Sequence, residues 1–143
     1  GENIMYYLKT SAAFDSAHFL SGYQGKCSNL HGHRWTIEVL VGKETLQEAG
    51  QMRGMVLDFG DLKHALRELA ACYDHALIYE EHSLHSTTVE ALLAEGFHLI
   101  AVPFRPTAEE FAKHFYQKLQ EQGMPVHRVT VYETPDNCAS YEV

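Results

Sequence analysis

The residues best suited to chemistry sit in one short run, Cys27-Ser28-Asn29-Leu30-His31-Gly32-His33. Side chains of an extended chain alternate faces with period two, so His31 and His33 project to one side and can grip a single ion. The residues that follow, Arg34-Trp35-Thr36-Ile37-Glu38-Val39-Leu40-Val41, alternate polar and apolar in the same phase. Both imidazoles therefore continue the face that carries Trp35, Ile37, Val39 and Val41 toward the interior. Gly32 between them leaves room for a backbone or ligand to approach closely. A third histidine, His18, ends the preceding extended run, and the connection through Gly22 and Gly25 is short enough to fold it back beside His31. Three neutral imidazoles with an open fourth position form the ligand set of a catalytic zinc. Cys27 is placed either as a fourth ligand, which would close the site as a structural one, or as a nearby acid or base.

Two further positions stand out. Asp74-His75 pairs an acid with an imidazole, although neighbouring side chains need a bend in the backbone to face one another. Glu133 ends the apolar stripe of Val129 and Val131, where a carboxylate costs free energy unless it reaches solvent or receives hydrogen bonds.

The elements that must position these groups are legible from periodicity. Met5 to Phe14 reads as a first strand with Tyr6, Leu8, Ala12 and Phe14 on one face, and residues 31–42 as its antiparallel partner across a loop at 20–30. A short extended piece is expected at Met55-Val56-Leu57. Phe59, Leu62, Leu66, Leu69 and Tyr73 then recur at helical spacing behind Asp58 as cap. Thr87-Thr88-Val89-Glu90 has capping-box order and opens a short helix that stops at Gly96; Phe97 to Phe104 is a third strand. Thr107 and Glu110 form a second capping box, opening a helix whose buried stripe is Ala108, Phe111, Ala112, Phe115 and Leu119, ended by Gly123-Met124-Pro125. Val126 to Thr134 and Cys138 to Val143 close the chain as strands. The pattern predicts an α+β domain spanning residues 1–143, an antiparallel β-sheet with two long helices on one face.

Composition narrows the function classes. At 143 residues, 45% hydrophobic and 21% charged, the chain has the balance of a folded soluble domain. No apolar run is long enough for a membrane span, and Met5 leads at once into an amphipathic strand rather than a signal peptide. Gly1 to Ile4 allow two readings, a non-native extension or a native start with Met5 internal. Three cysteines without regular spacing argue for a reducing compartment, with the cytoplasm expected. A net charge of −8 with scattered basic residues argues against nucleic acid. Most of the ten histidines, including His64, His82, His85, His98, His114 and His127, read as surface residues.

Cys27-x-x-x-His31-Gly32-His33, with His18 upstream, Asp74-His75 after the first helix, Pro106-Thr107-x-Glu109 at the second and Tyr132-Glu133-Thr134 late in the chain, resembles the 6-pyruvoyltetrahydropterin synthase family. The resemblance is strongest to its bacterial 6-carboxytetrahydropterin synthases of queuosine (7-deazaguanine) biosynthesis, because the gap from Cys27 to His31 is short. It implies the tunnelling fold, subunits oligomerising into a barrel as a homohexamer of two trimers, with active sites between subunits. It implies Zn2+ on His18, His31 and His33, a proton-transfer set of Cys27, Asp74 and His75, and Glu133 as anchor of a pterin triphosphate substrate, with Thr107 close to the ring. Cysteine at position 27 departs from relatives that carry Glu there and make 6-hydroxymethyl-dihydropterin. The stretch from Glu80 to Phe104 is longer than in the shortest members. Lys26 and Arg34, flanking the motif, are candidate cations for the triphosphate in so acidic a chain. Pyruvoyltetrahydropterin synthesis from the same substrate and a non-catalytic zinc- or pterin-binding module are the alternatives. Zinc-hydrolase chemistry fits less well, since no His-Glu-x-x-His element is present.

Overall fold

In the computed structural model, which describes residues 3–143, strand β1 (Tyr6–His18) pairs antiparallel with β2 (His31–Lys43) along its whole length. The register sets Phe14 opposite Trp35 and His18 opposite His31. Of the first four residues, Gly1 and Glu2 lie outside the described ones. The remaining elements are α1 (Phe59–Tyr73), β3 (Ala76–Glu80), α2 (Ser86–Ala94), β4 (Leu99–Val102), α3 (Ala108–Glu121), β5 (Val126–Thr134) and β6 (Asn137–Glu142). They build one sheet in the order β4-β3-β1-β2-β5-β6. The fold is α+β, a sheet curled into half a barrel with three helices.

The alternation of β2 is realised as expected: Trp35, Ile37, Val39 and Val41 are fully buried, in phase with His31 and His33. The long helices α1 and α3 cover that same face, and Leu62, Leu66, Phe111, Phe115 and Leu119 join the strand residues in one core. Each long helix is capped by the residue its sequence names. Asp58 accepts a hydrogen bond from the N–H of Gly60 at 2.6 Å. The Thr107 hydroxyl accepts from the N–H of Glu110 at 3.2 Å, and caps of this kind contribute about 1 kcal/mol each.

Several expectations need correction. The sheet is mixed, because β3 and β4 join parallel to β1 and to each other. Strand β3 has no alternating pattern: Ala-Leu-Ile-Tyr-Glu is a short apolar run behind what reads as a turn, and α2 makes the crossover that a parallel partner needs. Met55-Val56-Leu57 is not a strand; Gln47 instead pairs across the loop with Met55 and Gly54, and Val56 drops into the core. Helix α2 begins at Ser86 with His85 as its cap residue and no capping side chain, so Thr87 lies inside the helix rather than at its start. Phe59, the first residue of the α1 stripe, is 57% exposed. Among the described residues no helix is long and apolar enough to cross a membrane.

His114 is not a surface residue. Its Nε2 accepts the hydroxyl of Tyr73 at 2.6 Å, and the rings of Phe104 and Phe115 pack beside it. Burial, helped by the nearby Lys118 charge, holds its pKa below 6.5. The folded chain thus binds this proton less readily than the unfolded chain. Its contribution to stability is whole above pH 6.5 and is lost as pH falls below that value. Thermal unfolding between pH 7 and pH 5 should therefore lose less stability in His114→Gln than in the unsubstituted chain. Parallel Tm profiles would remove His114 as the cause.

Candidate metal and substrate site

His18, His31 and His33 converge at one end of the β1–β2 ladder, with a ligand nitrogen from each within 4.8 Å of the others. Register brings His18 directly against His31, and period two brings His33 diagonally to them, giving ring-centre separations of 4.5, 5.1 and 4.9 Å. Trp35 backs the cluster edge-on, 4.9 Å from His18 and 5.2 Å from His33.

Main-chain carbonyls fix the tautomers. Nδ1 of His18 lies 2.7 Å from the carbonyl oxygen of Pro106, and Nδ1 of His31 lies 2.7 Å from that of Asn29. A carbonyl can only accept, so each Nδ1 carries the hydrogen and each Nε2 presents a lone pair. Those two Nε2 atoms stand 3.1 Å apart. Two lone pairs at that distance repel unless a cation lies between them, and nitrogens sharing one tetrahedral divalent ion sit roughly 3.3 Å apart. The third nitrogen agrees: Nε2 of His33 is buried without a hydrogen-bond partner among the described residues, a deficit of about 1–3 kcal/mol unless a ligand satisfies it. Burial pushes the pKa of His18 down to about 4, further lowered by His31 and His33 and opposed by the Pro106 hydrogen bond. Burial also lowers that of His33, against the Glu133 carboxylate, which raises it. Both rings are thus neutral at pH 7, the state a metal requires. The cluster can hold a metal ion.

Glu133 completes this corner. Its Oε2 lies 4.0 Å from Nε2 of His33, too far for a hydrogen bond, and its half-buried side chain lines a cavity of about 400 Å³ with Ala108, Glu109 and Asn137. Thr107 caps α3 immediately after the Pro106 carbonyl that holds His18. Cys27 is a free, half-buried thiol in the short 3-10 turn Lys26–Ser28, outside the group of mutually close ligand atoms. Lys26 beside it is exposed.

Asp74 and His75 are brought together, but elsewhere. His75 takes φ +54, the left-handed bend that lets neighbouring side chains meet, and its Nδ1–H donates to Asp74 Oδ2 at 2.9 Å. The main chain of Asp15 braces both, donating to Asp74 Oδ1 at 2.8 Å and accepting the N–H of His75 at 2.6 Å. The hydrogen bond from Asp15, then that from His75, holds the Asp74 carboxyl below the usual carboxylate range. Ala76 pairs with Ser16 and faces the core, so His75 is in phase with Asp15, Arg34 and Gly32, whose cavity it lines on the opposite face from His18. Arg34 is occupied there by Asp15 at 3.0 Å. Within one chain the dyad and the histidine cluster do not converge.

Sequence reasoning missed the carbonyls of Pro106 and Asn29 and the bracing by Asp15. Main-chain atoms carry no residue signature, although a proline just before a helix cap does mark a rigid approach.

A family profile described as 6-pyruvoyl tetrahydropterin synthase matches residues 7–143. The 6-carboxy-5,6,7,8-tetrahydropterin synthase of Haemophilus influenzae is 33% identical over 141 residues, covering 96% of this chain and 99% of the relative. That of Aquifex aeolicus is 35% identical over 127 residues, covering 82% and 76%. Among solved structures, an uncharacterised protein of Wolinella succinogenes superposes with TM-score 0.80 at 21% identity, covering 97% of this chain and 98% of the other. The 6-pyruvoyltetrahydropterin synthase of Plasmodium vivax superposes with TM-score 0.71 at 20% identity, covering 97% and 98%. At these identities the superpositions speak for the fold.

The cluster geometry makes a direct prediction about metal. Elemental analysis of the purified chain should find about one equivalent per chain of a divalent ion, lost in His31→Ala. Chelation should lower Tm in the parent but not in that variant. Full occupancy in His31→Ala would place the ion elsewhere.

Proposed function

The chain belongs to the 6-pyruvoyl tetrahydropterin synthase family, and from that premise we propose that it converts 7,8-dihydroneopterin triphosphate and water to 6-carboxy-5,6,7,8-tetrahydropterin, acetaldehyde and triphosphate. This is a step of queuosine biosynthesis. The observation that carries the reading is the convergence of three histidine nitrogens on one point beside Glu133, two of them left as lone pairs because backbone carbonyls hold the ring hydrogen on Nδ1. His18, His31 and His33 would hold Zn2+, which supplies Lewis-acid polarisation of the hydroxyl oxygens on the substrate side chain.

The chain's own groups then have distinct tasks. Glu133 offers two acceptor oxygens in register with the paired N–H groups on the amino edge of a pterin. Thr107 already accepts the Glu110 N–H through its oxygen, so its hydroxyl hydrogen is free to donate to the ring. Cys27, a half-buried free thiol on the loop that leads into His31, serves as the base that removes a proton from the side chain. Asp74 holds the Nδ1–H of His75 and so leaves Nε2 of His75 to exchange the second proton. Lys26 beside Cys27 contributes positive charge at the entrance.

His75 and His18 occupy opposite faces of their own sheet, so the proton-transfer set closes only between copies. We assign the chain to a homohexamer, a dimer of trimers, in which one copy supplies the metal cluster with Cys27 and Glu133 and a second supplies Asp74 and His75. The partner of the cytoplasmic enzyme is a small pterin, neither nucleic acid nor membrane.

Incubation of the zinc-loaded protein with 7,8-dihydroneopterin triphosphate should release acetaldehyde and 6-carboxytetrahydropterin in equal amounts. Pyruvoyltetrahydropterin without acetaldehyde would favour the pyruvoyl reaction, and no turnover would favour a binding module. Shared sites carry their own signature. His31→Ala and His75→Ala, each inactive alone, should regain about a quarter of the parental activity when denatured together and refolded at equal ratio. A mixture that stays inactive while forming full-size hexamers would place each site within a single chain.

A further inference from the structure

The reading above brings a triphosphate to a chain of net charge −8 and gives it only the charge of Lys26 at the entrance. Three basic residues lie on or beside the segments that carry the histidine cluster. Arg34 is spent on Asp15 and lies on the opposite face. Lys26 is exposed on a three-residue turn. The third, Arg105, is half-buried in the connection between β4 and α3, and among the described residues its guanidinium makes no ion pair or hydrogen bond.

Its main chain is firmly placed. The Arg105 carbonyl accepts the N–H of Thr107 at 2.7 Å. The next residue, Pro106, is buried and its carbonyl holds His18. From that anchor the side chain crosses to the β1–β2 loop, where a terminal guanidinium nitrogen lies 3.6 Å from the position a Cβ on Gly22 would take. Gly22 has φ +78 and sits in the turn between His18 and Cys27. The guanidinium therefore bridges the two segments that carry the metal-ligating His18, the thiol of Cys27 and the cap hydroxyl of Thr107. The start of α3 does not supply this charge unaided, since Glu109 and Glu110 occupy its first turn and offset the helix dipole.

We propose that Arg105 is the residue that binds the polyphosphate of the substrate at the mouth of the histidine cluster, a role that rests on the reaction proposed above. Guanidinium is planar, permanently charged and matched to phosphate oxygens by paired N–H donors.

The experiment compares Arg105→Ala, Arg105→Lys and the parent with three probes: inorganic tripolyphosphate by calorimetry, dihydroneopterin triphosphate by KM, and unphosphorylated 7,8-dihydroneopterin as competitive inhibitor. Lys113→Ala, which removes the same charge from an exposed position on α3, is the control. Arg105→Ala should weaken tripolyphosphate and raise KM by on the order of 10- to 100-fold, with Arg105→Lys between. Inhibition by dihydroneopterin should not change, and Lys113→Ala should match the parent. Unchanged tripolyphosphate affinity in Arg105→Ala overturns the proposal. So does an equal loss for dihydroneopterin, which would mark Arg105 as a loop tether. If the parent makes no product while tripolyphosphate binding still depends on Arg105, the reaction assignment fails and the anion site stands.

Discussion

A slip of one residue in the pairing of β1 with β2 would carry every side chain of one strand to the other face. The chemistry of this chain depends on that register. His31 and His33 share a phase with Trp35, Ile37, Val39 and Val41, all of which are fully buried, so moving the histidines out means moving four large apolar side chains into water. At about 1.5–3 kcal/mol for each such side chain, the slipped pairing is excluded by the core itself. Hydrophobic burial that has no part in the reaction thus sets the positions of the three imidazoles.

The histidines in turn tie the sheet to its helices. The Pro106 carbonyl that accepts from His18 belongs to the residue before Thr107, whose hydroxyl caps α3. Ser16, one step along β1 on the core face, donates its hydroxyl to the Tyr73 carbonyl at the end of α1, and its carbonyl accepts from Trp35 Nε1 at 3.3 Å. These bonds satisfy polar groups that burial would otherwise penalise. The exceptions are the ring nitrogens themselves: Nε2 of His18 and Nε2 of His31 face each other as lone pairs, and Nε2 of His33 has no hydrogen-bond partner among the described residues. Three ring nitrogens without a donor, meeting at one point, are the mark of groups held for a ligand.

Much of this is legible in the sequence. Alternation in residues 34–41 named the buried face, and Asp58 and Thr107 named two helix starts, because short polar side chains satisfy the free N–H groups there. What stayed hidden shares a physical cause. Strand β3 is buried on too short a run for periodicity to distinguish strand from helix. The tautomers of His18 and His31 are set by carbonyls, which every residue has. His114 looks like any polar residue on a helix until Tyr73, 41 positions away, supplies its partner. Arg105 is an unremarkable charge in the sequence, and only the fold lays it across Gly22. Local chemistry is written in residue types, whereas the second partner of each contact is written in topology.

The same topology separates the two groups of residues that the proposed reaction uses. Helices α1 and α3 cover one face of the sheet, and the histidine cluster opens at the end of that covered face. The Asp74–His75 pair is attached to the other face through the main chain of Asp15, the residue adjacent to Ser16. Since successive residues of a strand point to opposite sides, the pairing of Ala76 with Ser16 sets His75 in phase with Asp15, whereas His18 shares the phase of Ser16, and this commits the two groups to opposite sides of one strand. No side-chain rotation undoes that commitment. The shared site proposed above follows from that separation: a ligand that meets both groups lies between the end of one sheet and the uncovered face of another copy.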